Sequence, residues 1–160
     1  LSETRVSGAL AVASAGITLG SAGYALAFIR PLGPLPDEPL DAAAYNRRQA
    51  PAQMRLHLFL ALAHALMAPA AVGRMPGSRI ATASVRLSGA AAEALMLVSM
   101  LTQARAWKDL SSLYDSAVSD EERARTLDYM EGPNTTWTEP AGVALWAVSA
   151  AAAAMSLRRD

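Results

Sequence analysis

The feature that most constrains this chain is an uncharged, apolar stretch that runs from Val6 to Ile29. As an α-helix it would be roughly 36 Å long, which exceeds the roughly 30 Å hydrocarbon core of a bilayer. The alternative is a cleaved secretory signal, because Arg5 precedes the stretch and the Ala-Leu-Ala at 25–27 resembles a small-residue cleavage site. The length of the stretch favours a transmembrane helix.

Three further apolar stretches follow, so the sequence predicts an all-α integral membrane protein with four transmembrane helices in one antiparallel bundle. The predicted spans are 6–29, 53–72, 80–103 and 137–157. The short link at 73–79 makes the second and third spans antiparallel neighbours, and Pro69 is expected to kink the second. The whole chain, 1–160, is therefore expected to form a single domain.

Composition supports this class and excludes several functions. Only 18% of the residues are charged and 52% are hydrophobic, whereas about a quarter of a soluble domain is charged. The formal net charge is zero and the basic residues are scattered, which excludes a nucleic-acid-binding surface. Cysteine is absent, which excludes disulfides and thiolate metal sites. The bias towards Ala and Arg indicates a GC-rich, bacterial source.

Two polar segments, 30–52 and 104–136, connect the spans on one side of the predicted bundle. The first has five prolines, so we predict an extended loop in which 41–48 could form a short interfacial helix. In the second, the helix of the third span should continue past Trp107, an interfacial anchor. Ser119 and Glu122 match a capping box, which predicts a surface helix that ends at Gly132-Pro133.

The distribution of basic residues predicts the orientation. On one side they lie densely, in very short segments, at Arg5, Arg74, Arg79, Arg158 and Arg159. On the other side they are spread over the two long segments, which carry an excess of acidic residues. This pattern favours the inner (cytoplasmic) membrane of a bacterium, with both termini in the cytoplasm.

Small residues line part of the first span. Ala13, Gly16, Gly20 and Gly23 recur at spacings of three and four residues, which lets helix backbones approach closely. The fourth span has comparable faces that include Ala144, Ala147 and 150–154. Packing within the chain is the favoured interpretation, and a seam with other membrane subunits or a second copy is the alternative.

Three ionisable residues in the second and third spans are the candidate site. His64 and Glu93 lie at nearly the same predicted depth, so their side chains could meet. The favoured interpretation is a buried hydrogen bond that sets the helix register. The alternatives are an acid/base pair, or a non-haem iron or zinc site to which His57 adds a third ligand. Haem is disfavoured because no other predicted span carries a histidine.

No nucleophile motif, Gly-rich phosphate loop or metalloprotease helix is present, and no cofactor is indicated. The function predicted first is therefore a non-catalytic accessory subunit of a bacterial membrane complex, docked through small-residue faces and outer segments. The alternative is a small membrane enzyme or ligand-binding protein that acts on a lipid-soluble molecule through His57, His64 and Glu93. A dimeric transporter half is disfavoured because only one predicted span is broken.

Overall fold

The computed structural model describes residues 3–72, 79–134 and 138–157, and every regular element within them is a helix. The α-helices are α1 (Glu3–Phe28), α2 (Pro39–Val72), α3 (Arg79–Ser116), α4 (Asp120–Asn134) and α5 (Thr138–Leu157). One turn of 3₁₀-helix, Arg30–Leu32, follows α1. The predicted all-α class is confirmed.

Three of these helices are long and apolar enough to cross a membrane. Their apolar spans are Arg5–Leu32, Pro39–Ala71 and Val85–Ser116. Among the described residues, α5 contributes a shorter apolar helix, Pro140–Ala151. Of the predicted four-span bundle, three helices compatible with a bilayer are thus confirmed. The fourth span and the antiparallel arrangement stay predictions.

Some predicted features fall outside the described residues and stay predictions. These are most of the link at 73–79, the anchor Trp137 and the basic residues Arg74, Arg158 and Arg159.

The predicted extended loop at 30–52 is wrong from Pro39 onwards, because α2 begins there and the segment predicted as a separate short helix is part of it. Proline suits the first turn of a helix, where its missing N–H has no intrahelical partner. Pro51 lies inside α2, a position that costs about 3 kcal/mol in an isolated helix. Ala42, Ala43 and Tyr45 are buried, and this packing offsets that cost.

The continuation of α3 past the third predicted span is confirmed, since the helix extends to Ser116. Its 38 residues correspond to roughly 57 Å, nearly twice the thickness of a hydrocarbon core. Leu110, beyond the predicted span, has no exposed surface. The C-terminal part of α3 is therefore packed against the protein beyond residue 103, where the predicted span ends.

The chain forms two compact units. The first contains α1 up to Thr18, α2 from Ala61, α3 up to Ser99, and α5. The second contains the remaining parts of α1, α2 and α3 together with α4.

In the second unit, α2 and α3 pack around Ala50, Ala106 and Leu110, and Trp107 covers this cluster. The guanidinium of Arg47 donates two hydrogen bonds, each 2.7 Å long, to the carboxylate of Asp115. These contacts hold the N-terminal part of α2 against the C-terminal part of α3.

The predicted capping box at the start of α4 is confirmed. The hydroxyl of Ser119 accepts a hydrogen bond from the backbone N–H of Glu122 at 3.2 Å. The carboxylate of Glu122 reaches back to the N–H of Val118 at 2.8 Å. In the same unit, the hydroxyl of Tyr129 donates to Asp109 at 3.2 Å, and burial together with this hydrogen bond raises the pKa of the phenol. The helix ends at Asn134, just beyond the predicted stop.

Candidate functional site

Glu93 is the centre of a buried polar cluster in the first unit, formed with His64 of α2 and Trp146 of α5. One carboxylate oxygen, Oε2, lies 2.6 Å from Nδ1 of His64. The other, Oε1, accepts a hydrogen bond from the indole N–H of Trp146 at 3.0 Å. Glu93 is only 7% exposed, so neighbouring protein groups rather than water solvate its carboxylate. We call these three residues the Glu93 cluster.

The contacts within the Glu93 cluster determine which nitrogen of the His64 imidazole is left for another group. With the proton on Nδ1, His64 donates to Glu93 and its Nε2 carries a lone pair. A carboxylate that holds an imidazole in this way fixes the orientation of the ring, so that Nε2 is the atom left for a ligand. The ring centroids of His64 and Trp146 are 5.7 Å apart, so the indole also packs beside the imidazole.

The structure brings together the two residues that the sequence places at one depth, His64 and Glu93. Trp146 was missed by the sequence analysis. Its signal was available, because a tryptophan inside an apolar helix needs a partner for its N–H when it is buried. The choice of that partner depends on how α5 is rotated against α3, which the sequence pattern does not specify.

The alternative interpretation of a three-ligand metal site gains no support from the described residues. Nδ1 of His57 faces the carbonyl of Gln53 one turn earlier in α2, at 2.7 Å. Across the described residues, which include His57, His64 and Glu93, no group of three or more His, Asp or Glu could hold a metal ion.

Two glycines allow α5 to approach α3 and so position Trp146. A Cβ added at Gly142 would lie 3.1 Å from the side chain of Met96 and 3.3 Å from the carbonyl oxygen of Ala92. A Cβ added at Gly89 would lie 3.3 Å from the hydroxyl of Ser149. Close helix contact in this unit thus occurs at glycines that the sequence analysis did not select. Ala144 and Ala147, which it did select on α5, are exposed.

The buried face of α1 carries serines rather than glycines. Ser7, Ser14 and Ser21 are all at most 7% exposed. In the first unit, the hydroxyl of Ser14 donates to the carbonyl of Ala63 in α2 at 2.9 Å. Serine is small enough for close helix packing and adds an interhelical hydrogen bond. Serines that recur every seven residues were therefore the sequence signal for the packed face of α1.

The predicted packing residues Ala13, Gly16, Gly20 and Gly23 lie on the other side of α1 and are exposed. Gly16 and Gly23 each follow a buried serine by nine residues, which is about two and a half turns and therefore the opposite side of the helix. A methyl group added at any of the three glycines would meet no atom within 4 Å. Packing of these residues against another chain stays a prediction.

This exposed side consists of small residues over most of the helix. It comprises Ala9, Ala13, Gly16, Gly20, Gly23 and Ala27. We call these six the small-residue face of α1. Beside it, Val12 and Leu19 are 72% and 74% exposed. The result is a shallow groove of backbone and methyl groups with a ridge of large apolar side chains along one edge.

No protein-family model, no curated protein and no solved structure matches this chain. Its function is therefore inferred from its own residues.

Proposed function

We propose that this protein is a small accessory subunit of a bacterial inner-membrane complex, and that α1 docks it against a helix of another chain. The observation that carries the proposal is the small-residue face of α1, which no other part of the described chain covers. Only 11% of the apolar window of this helix is buried. Most of α1 is thus left for lipid or for a partner.

A helix partner fits this face better than lipid does. Apolar helices gain little from leaving lipid, so their association depends on close van der Waals packing and on hydrogen bonds between backbones. Small residues at three- and four-residue spacing allow that approach along four turns or more. A partner helix would fill the groove, and the ridge formed by Val12 and Leu19 would pack beside it.

We further propose the four-span antiparallel topology, with both termini in the cytoplasm and α5 as the fourth span. Contacts in the first unit support the antiparallel arrangement. His64 lies beside Glu93 and Ala71 lies beside Gly89, so later residues of α2 meet earlier residues of α3. Ser149 of α5 likewise bonds to the carbonyl of Val85, whereas Trp146 bonds to Glu93.

Cysteine cross-linking in native membranes tests the docking face directly, because the chain has no cysteine of its own. We expect Gly16→Cys and Gly23→Cys, each labelled with a thiol-reactive photo-cross-linker that reacts with any neighbouring chain, to cross-link to another chain. The neighbouring positions Ala15 and Ala22 are exposed but lie about 100° round the helix, so Ala15→Cys and Ala22→Cys are matched controls. We expect the controls to give at least fivefold less product.

The mass of the product separates a second copy from a different subunit. Equal cross-linking at all four positions, or none at Gly16→Cys and Gly23→Cys, would contradict docking through this face.

A second candidate function is a small membrane enzyme or ligand-binding protein for a lipid-soluble molecule. The observation that favours it is the carboxylate-oriented imidazole of His64, whose Nε2 is not used in the contact with Glu93. We expect a bound apolar molecule to be recovered by organic extraction of the purified wild type and identified by mass spectrometry. His64→Ala should lose it at least tenfold, whereas His57→Ala, outside the Glu93 cluster, should retain it. Identical extracts from wild type and His64→Ala would eliminate this candidate.

A further inference from the structure

The second unit contains a groove between α2 and α3. Two cavities, of about 230 Å³ and about 420 Å³, lie along these helices and share Met54 and Lys108 in their walls. Because these two side chains line both cavities, the cavities adjoin, and we take the pair as one groove. We call it the α2/α3 groove.

The α2/α3 groove changes from apolar to polar along its length. At one end its walls include Leu58 and Leu101, which are 45% and 47% exposed, and the ion pair of Arg105 with Asp109 lines the same cavity. At the other end they are Lys108, Ser111 and Ser112, which lie on one face of α3. The apolar end belongs to the uncharged parts of the two spans, and the polar end lies where charged residues begin on both helices. This change is typical of helix segments at the boundary between hydrocarbon and headgroups.

One positive charge in the groove is not compensated. The guanidinium of Arg105 pairs with Asp109 at 3.5 Å, and Asp115 is held by Arg47. Lys108 forms no ion pair with any residue that the structure describes, and it is the only lysine in the chain. The ammonium of Lys108 and the hydroxyls of Ser111 and Ser112 are all hydrogen-bond donors, and phosphate oxygens accept from such groups.

We infer that the α2/α3 groove binds an anionic phospholipid of the bilayer. The phosphate lies at Lys108 and the two serine hydroxyls, and one acyl chain runs along Met54, Leu58 and Leu101. This inference stands independently of the proposed accessory function. It assigns a ligand class to the second unit, whereas the docking face lies on α1.

The amphipathic gradient selects the lipid over other occupants. A free phosphate or a soluble anion would use only the polar end and would leave the exposed leucines uncovered. A transmembrane helix of another chain would cover the leucines but would bring no fixed anion to Lys108. Trp107, which also lines the groove, has the amphipathic ring that favours the headgroup level of a bilayer.

The test is lipid retention by the full chain, measured by native mass spectrometry after exchange into detergent with defined lipids. We expect phosphatidylglycerol to be retained about tenfold more than phosphatidylcholine, the scale of one charge-assisted contact. Lys108→Gln should abolish that preference, so that the two lipids are retained about equally. Arg48→Gln removes one exposed positive charge from the same end of α2 without touching the groove, so the preference should be unchanged.

Two further measurements test whether the bound phosphate belongs to a lipid and whether the apolar end of the groove holds an acyl chain. Inorganic phosphate or glycerol phosphate at millimolar concentration should not displace the lipid. Leu101→Glu should lower retention of both lipids, because it places a charge where the acyl chain lies. Circular dichroism of each variant should match the wild type, since all the substituted side chains are exposed.

Three results would overturn the inference. Equal retention of the two lipids would remove the anionic selectivity, and equal losses in Lys108→Gln and Arg48→Gln would reduce it to general surface charge. Displacement by inorganic phosphate would identify an anion site instead. A chemical cross-link from Leu101→Cys to a second protein chain at high yield would make the groove a protein interface.

Discussion

Replacing Glu93 by alanine is expected to lower the free energy of unfolding by about 2 to 4 kcal/mol. The substitution removes the common acceptor of two donors, and it leaves His64 and the indole N–H of Trp146 without a partner in a buried site. Individual hydrogen bonds between membrane helices contribute about 0.6 kcal/mol on average, so most of the loss comes from the groups left unsatisfied. Unfolding of the detergent-solubilised protein by sodium dodecyl sulfate, followed by circular dichroism, measures the change.

Glu38→Ala is the matched control, because Glu38 is exposed and its side chain takes no part in the Glu93 cluster. We expect it to change the free energy of unfolding by no more than about 0.5 kcal/mol. Similar losses in the two variants would mean that the Glu93 cluster does not hold α2, α3 and α5 together in the first unit.

The second large effect is expected at Gly142, where leucine should destabilise the protein by about 2 to 3 kcal/mol. The first added carbon would already lie 3.1 Å from Met96 and 3.3 Å from a backbone carbonyl, so α5 would have to move away from α3. That movement would also lengthen the hydrogen bond from Trp146 to Glu93. The same unfolding assay measures the loss. The intrinsic tryptophan fluorescence, to which Trp107, Trp137 and Trp146 all contribute, should also shift as the surroundings of Trp146 change.

Gly20→Leu makes the same chemical change in a helix of the same chain and is the control. No atom lies within 4 Å of a Cβ at Gly20, so we expect the free energy of unfolding to stay within about 0.5 kcal/mol or to rise slightly, as helix propensity favours leucine over glycine. Combined with Gly16→Cys, Gly20→Leu should nevertheless abolish the cross-link expected from the small-residue face of α1. A loss of stability equal to that of Gly142→Leu would mean that the face is covered within the chain itself.

Local signals predicted several elements well. The uncharged stretch that begins at Val6 is a helix, and the Ser119 and Glu122 pattern caps α4 as expected. The contact of His64 with Glu93 followed from counting residues along two spans, because a constant rise per residue converts sequence distance into depth. These features depend on short-range geometry, which is the same in any protein.

Other features could not be read in this way. Proline content predicted a loop where α2 already runs, because Pro39 begins the helix and the buried Ala42, Ala43 and Tyr45 offset the cost of Pro51 in its interior. The glycines of α1 carried the stronger packing motif, yet the side of the helix that carries Ser14 is the buried one. A motif of small residues indicates that another helix can approach closely. It does not indicate which helix does so.

The sequence by itself determined that the chain is helical, which stretches are apolar enough for a bilayer and which two ionisable side chains share a depth. Only the tertiary structure decided which face of each helix is buried, that Trp146 completes the Glu93 cluster and that His57 stays outside it. The physical reason is that apolarity and rise are properties of one helix, whereas rotation about its axis depends on the shapes of the side chains that meet between helices.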